Sequence, residues 1–175
     1  MIPSSTASAL PLFSSVAEKP LDASRLRGQL TTWPAIYDFI FAGAAVFTIV
    51  SLKTGVRLTY KVTAKKEDVK AGATDVTYFV NLLRGPDNTK DFAYLGVLRK
   101  PGNFFITSAS RITRHPTSYK SLVWFLDVLR HRREGVLGKT LEFWHSGRCG
   151  CCGRLLTVPS SVASGIGPVC DGRTK

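Results

Sequence analysis

Residues 56–63 alternate strictly: Val56, Leu58, Tyr60 and Val62 are apolar, while Arg57, Thr59, Lys61 and Thr63 are polar. A period of two marks a strand buried on one face, here with a basic outer face. Residues 45–52 form a second β-like run, and Lys53, Thr54 and Gly55 between the two read as a three-residue hairpin loop. Three more runs, 76–83, 92–98 and 103–107, are separated by Gly85-Pro86-Asp87-Asn88 and Lys100-Pro101-Gly102-Asn103, both of turn composition. Residues 64–75 are polar and read as an exposed loop. The expectation is a five-stranded antiparallel meander.

Two helices are expected. One covers 34–41, with Pro34 in its first turn and Gly43 after its end. The main helix starts at Pro116, with Thr117 or Ser118 as a hydroxyl cap. Its apolar face is Leu122, Phe125, Leu126 and Leu129, widened by Trp124 and Val128. Arg130-His131-Arg132-Arg133 place cations at its negative end, and Gly135 or Gly138 stops it. The fold class is therefore α+β: a small antiparallel sheet, one main helix and a C-terminal knuckle. Residues 1–32 read as a flexible arm, 33–139 as the β-rich core with its helix, and 140–175 as the knuckle. The apolar run 39–50 is about half of the ~20 residues that a bilayer requires, so it reads as buried structure, not a membrane span.

Charge adds a partner class. The chain has 24 Lys+Arg against 12 Asp+Glu, a net charge of +12. Residues 97–140 hold nine of the cations against only Asp127 and Glu134. Such an excess favours a polyanion, nucleic acid first, or an acidic protein surface. The residues expected to carry the electrostatics are Arg57, Lys61, Arg111, Arg114, Lys120, Arg130, Arg132 and Arg133. Tyr60 alternates away from Arg57 and Lys61 and reads as core.

All four cysteines fall near the C-terminus, in H-S-G-R-C-G-C-C-G-R and G-I-G-P-V-C. Cys149 and Cys152 have C-x-x-C spacing, and Gly153 allows the tight turn of a metal knuckle. Cys170 returns from a second turn-rich element. His145 is the best fourth ligand; Cys151 could replace it, but neighbouring cysteines seldom face one metal, so Cys151 reads as a bystander. The alternatives are free thiols or a disulfide. A saturated Cys₃His zinc site is structural, because a catalytic zinc keeps an open position. Clustered cysteines without a signal peptide favour metal over disulfides, and the cytoplasm as the compartment. No hydrolase, Walker or dinucleotide motif is present, so no catalytic residue and no small-molecule substrate is expected.

The C-terminal residues carry the pattern C-x-x-C-G-R-x-L-T, then P-x-S, then G-x-G-P-x-C. It runs through Cys149, Cys152, Gly153, Arg154, Leu156, Thr157, Pro159, Ser161, Gly165, Gly167, Pro168 and Cys170. This segment resembles a zinc-ribbon-type domain of unknown function found in phage and plasmid proteins, and the β-rich region before it resembles the part that often accompanies that domain. The resemblance implies a mobile-element origin and a small zinc site, but no activity. Cys151 departs from the pattern.

The leading expectation is a non-enzymatic, mobile-element-encoded nucleic-acid-binding protein with structural Zn²⁺ and DNA or RNA as partner. The alternative is an anti-defence (anti-CRISPR-like) protein that inhibits a host nucleoprotein complex by protein contact. A zinc-dependent hydrolase that uses Glu142 is a third reading.

Overall fold

The computed structural model describes residues 28–68, 74–111 and 116–172. Within these, the strands β1 (Gln29–Leu30), β2 (Ala44–Ser51), β3 (Arg57–Asp68), β4 (Thr74–Leu83), β5 (Phe92–Arg99), β6 (Asn103–Phe105) and β7 (Leu141–His145) form one sheet. Its order is β1-β7-β2-β3-β4-β5-β6, and every pairing is antiparallel. The α+β class and the meander from β2 to β6 are as expected. The strand number is not: there are seven, because the chain returns after its main helix and adds β7 beside β2. L-E-F-W-H does alternate, with Leu141, Phe143 and His145 buried, but five residues beside a cysteine motif are a weak signal. Gln29 and Leu30, counted in the arm, pair with β7 as β1; residues 1–27 lie outside the described residues.

The loop expected at 64–75 is largely strand. Ala64 pairs with Tyr78 and Asp68 with Thr74, so the β3–β4 hairpin continues through polar residues. Ladder hydrogen bonds join backbone groups and do not depend on apolar side chains, so the hydrophobic pattern faded before the pairing did.

The helices are α1 (Trp33–Ile40), α2 (Thr117–His131), α3 (Pro159–Ser164) and α4 (Pro168–Asp171). In α1, Ile36, Phe39 and Ile40 recur at helical spacing and are buried. In α2 the expected face, Leu122, Phe125, Leu126 and Leu129, is buried along with Val128, but Trp124 points outward and is 42 % exposed. The expected hydroxyl cap is absent: Pro116 is the N-cap and makes no side-chain bond. The helix ends one residue past His131, where Arg132 takes a left-handed conformation (φ 48°), before either glycine is reached.

One face of the sheet packs on α1 and α2. Phe47, Phe125 and Phe143 stack at centroid distances of 4.8–6.2 Å. The Tyr60 hydroxyl donates to the Ser118 carbonyl (2.7 Å), and that of Tyr78 to the Phe41 carbonyl (3.1 Å). Tyr60 is fully buried, as its place in the alternation requires, and burial pushes its phenol well above the ordinary value. The other face carries no helix among the described residues. It presents Trp144, Thr48, Thr59, Arg57, Lys61, Phe79, Asn81, Phe92, Tyr94 and Phe105, all half-buried or exposed. A bulge in β5 sets part of this face. Val80 pairs with Gly96 but Asn81 with Tyr94, so Leu95 turns into the core while Tyr94 and Val97 both stay outside.

Candidate functional site: the cysteine centre and the basic residues

The C-terminal lobe is built from turns. Cys149 donates its N–H to the Arg154 carbonyl (2.8 Å), and Gly153, at φ +73°, donates to the Cys149 carbonyl (2.9 Å), which closes a tight knuckle. Pro159 opens α3 and Gly165, at φ +74°, ends it; Pro168 then opens α4, which delivers Cys170. The spaced prolines and glycines of the motif are thus helix starts and stops that bring a distant cysteine back to the knuckle.

The Sγ atoms of Cys149, Cys152 and Cys170 all lie within 4.8 Å of one another. Sulfurs around a tetrahedral zinc, with bonds of about 2.3 Å, stand about 3.8 Å apart, so a small contraction completes the geometry. The three cysteines are therefore close enough to bind one metal ion, consistent with zinc. The electrostatics favour a thiolate at Cys149. Burial pushes its thiol up, but the N–H groups of Gly167, Cys152 and Cys151 and the Cys152 thiol outweigh burial and pull it below its ordinary value. The Gly167 N–H is 3.3 Å from the sulfur. Cys170 is pushed the other way, by burial first, then by its contacts with the Cys152, Cys151 and Cys149 thiols and by the charge on Cys149. A divalent cation beside these thiols would favour the deprotonated form of both.

His145 does not join this group. It lies fully buried against Phe39, with ring centroids 5.4 Å apart. Its Nε2 donates to the Val162 carbonyl (2.7 Å), and its Nδ1 accepts the Gly147 N–H (3.0 Å). Both nitrogens are committed to backbone, so the expected fourth ligand is instead a core residue that ties β7 to α3. Period two places position 145 on the buried face of β7, where its ring packs on Phe39. Cys151, expected as a bystander, stays outside the group of three, although its thiol contacts Cys170. A cavity of about 380 Å³ adjoins the thiols, lined on its far side by Leu155, Val158, Pro168 and Val169.

The lobe docks on the body through Phe39. A Cβ on Gly150 or Gly165 would come within 2.7 or 2.6 Å of the Phe39 ring, so only glycines let these two backbones clasp it. Ala44 also donates to the Gly150 carbonyl (2.6 Å).

The basic residues do not form one surface. Arg57 and Lys61 lie on the uncovered sheet face, Lys61 with its ammonium 5.6 Å from the Phe92 ring centroid. Arg111 sits at the rim of that face, where its N–H donates to the Tyr94 carbonyl (3.1 Å). Lys120 and Arg130 lie on α2, in the opposite layer, and Arg130 reaches the Gly102 carbonyl (3.2 Å). Arg132 ends the helix, and Arg133 pairs with Asp127 (2.7 Å). Arg114 lies outside the described residues. The residues missed in the sequence are the aromatic partners of this face, Phe92, Tyr94 and Phe105; each was read only as strand-forming.

No helix among the described residues is long and apolar enough to cross a membrane. No curated protein and no solved structure matches the chain. Residues 140–175 match the model of a family of unknown function, DUF6011, which covers the knuckle, α3 and α4 and supports the expected likeness of this segment to a domain of unknown function.

Proposed function

We propose that the chain is a nucleic-acid-binding protein without catalytic activity, encoded by a mobile element, and that a structural zinc holds its C-terminal lobe. Cys149, Cys152 and Cys170 supply three ligands, and two of them, Cys149 and Cys170, are buried. The observation that carries the reading is the charge on the uncovered sheet face. Arg57 and Lys61 stand there, both on β3, and the Glu142 carboxylate of that face is engaged by its neighbour: its Oε2 accepts the Trp144 indole N–H (2.9 Å). A phosphate backbone is the polyanion that suits a broad cationic face, and its binding weakens steeply with salt. The bond to Trp144 gives Glu142 a structural task, that of holding the indole.

The test is fluorescence anisotropy with labelled oligonucleotides at low and high salt. The wild type is expected to bind at low salt and to lose affinity as salt rises, and Arg57→Glu with Lys61→Glu to abolish most binding without changing the melting temperature. Absence of binding at low salt would reject the reading.

A second reading, inhibition of a host nucleoprotein complex by protein contact, is favoured by Leu155, Val158 and Val169. These are 50 %, 49 % and 70 % exposed around the cavity beside the thiols. Co-purification of a host complex that survives nuclease treatment and is lost in Val169→Asp would promote it over the first.

A further inference from the structure

We infer that the uncovered sheet face takes single-stranded nucleic acid, with unpaired bases stacked on Phe92, Tyr94 and Phe105; this rests on the nucleic-acid reading above and narrows its substrate class. The aromatic residues are arranged by register. Phe92 and Tyr94 are two positions apart on β5 and share a face, and Phe105 on β6 pairs with Val97 on that same face. Phe105, on the uncovered face of the edge strand, leaves 52 % of its surface exposed to solvent. Tyr94 is braced from the side: its ring lies 6.2 Å from that of Phe79 on the same face, and its hydroxyl accepts the Thr107 hydroxyl (3.3 Å). The Tyr94 ring is thus held before any ligand arrives, so little of its side-chain freedom is lost on binding.

The polar groups are interleaved with the rings. Lys61 pairs with Asn81, and Asn81 pairs with Tyr94, so a cation, an amide and a ring follow one another across three strands. The Lys61 ammonium over Phe92 places a phosphate-binding charge at the ring itself. The Arg111 backbone is tied to that of Tyr94, its N–H donating to the Tyr94 carbonyl, so a cationic residue borders this strand. Rings for the bases, cations for the phosphates and an amide for base edges together make a single-strand platform.

The spacing excludes a duplex. Two positions along a strand advance about 6.8 Å, twice the roughly 3.4 Å rise of one duplex strand. Bases seated on Phe92 and Tyr94 are therefore drawn apart from each other, which an unpaired strand permits and a continuous stack does not. In a duplex the bases are enclosed, and the three rings would meet only sugar and phosphate. A second copy of the chain is a poor occupant, because it would bring Arg57 and Lys61 toward like charges in a molecule of net charge +12.

The experiment compares a labelled single strand of about 12 nucleotides, within the ~4–16 nucleotide range of such platforms, with a hairpin duplex of the same sequence. The zinc-loaded full chain is used. The wild type is expected to bind the single strand at least tenfold more tightly. Phe105→Ala, at an exposed edge position where folding is not at risk, and Tyr94→Leu, which keeps the β-strand apolar, should each weaken single-strand binding about five- to tenfold, within the range of losing one stacked base, and leave duplex binding unchanged. Equal affinity for the two forms, or single-strand affinity unmoved by both substitutions, would overturn the inference and leave the broader reading standing. Binding to neither form would overturn both, and capture of an acidic protein in place of an oligonucleotide would do the same.

Discussion

The sheet with α1 and α2 and the cysteine lobe are held together by different means. The body has a contiguous aromatic core, in which Phe39, Phe47, Tyr60, Phe125 and Phe143 are all at most 1 % exposed. From Leu155 onward the lobe buries only Leu156, Ser161, Ile166, Cys170 and small backbone groups, and leaves Leu155, Val158 and Val169 in solvent. A core of that size cannot offset the entropy of ordering α3, α4 and the knuckle. The body is stable by burial, whereas the lobe is short of it and carries three thiols close enough to hold one metal ion as a cross-link.

The strongest way to break this contrast is to remove the metal. Chelation, or Cys149→Ser, should unfold the lobe and leave the sheet, because a structural zinc contributes about 10–16 kcal/mol of apparent binding energy in small domains. Hydrogen exchange should show residues 147–172 losing protection while β2 to β5 keep theirs; uniform loss would mean that the two regions fold as one unit. Next comes the joint between them. Phe39→Ala empties the ring clasped by Gly150 and Gly165 and should cost about 3–5 kcal/mol, as large core truncations do. Denaturant midpoints would measure this, and zinc affinity should fall with it. A change confined to the body would separate the clasp from the centre.

His145 gives a smaller, pH-dependent effect. Burial holds its ring below the ordinary value of 6.5, against the pull of the Val162 carbonyl in the other direction. The folded chain keeps the ring neutral where the unfolded chain takes up a proton. Its contribution is therefore complete above about pH 6.5 and is lost as pH falls below that value. Wild type should lose stability between pH 7 and pH 5 more steeply than His145→Gln, because only wild type carries the buried ring that resists protonation. Protonation of the thiolates acts on both proteins, so the difference isolates the imidazole. Parallel curves would place His145 outside the buried network. The smallest effect is expected from Cys151→Ser, with unchanged zinc per chain and a stability change within about 0.5 kcal/mol. Loss of zinc from that variant would make Cys151 the fourth ligand.

Much of the body was legible because burial leaves a mark at each position. Residues 56–63 announced a strand by alternation, and Leu122, Phe125, Leu126 and Leu129 announced the buried face of a helix. The cysteine centre was legible in part. C-x-x-C with glycine after it specifies a knuckle locally, and Cys170 follows from the chemistry that a third soft ligand must satisfy. His145 was misassigned for an instructive reason. Its distance of four residues from Cys149 is compatible with ligation, but the strand that carries it was not recognised, and the strand sets where the ring points. The placement of the basic residues was not legible either: charge in a sequence has no direction, and the structure puts Arg57 and Lys61 on the uncovered sheet face and Lys120 and Arg130 on α2, in the opposite layer.

The sequence by itself determined what depends on neighbours a few residues apart: the alternating strands, the amphipathic helix, the knuckle and the excess of positive charge. The tertiary structure alone decided what depends on residues far apart in the chain. It inserted β7 between β1 and β2, buried His145 against Phe39, and turned Tyr94 outward beside Asn81 through a bulge. Local patterns report the environment each residue prefers, whereas strand order, register and the choice of a ligand follow from which distant surfaces can be buried together, and only the folded chain compares those.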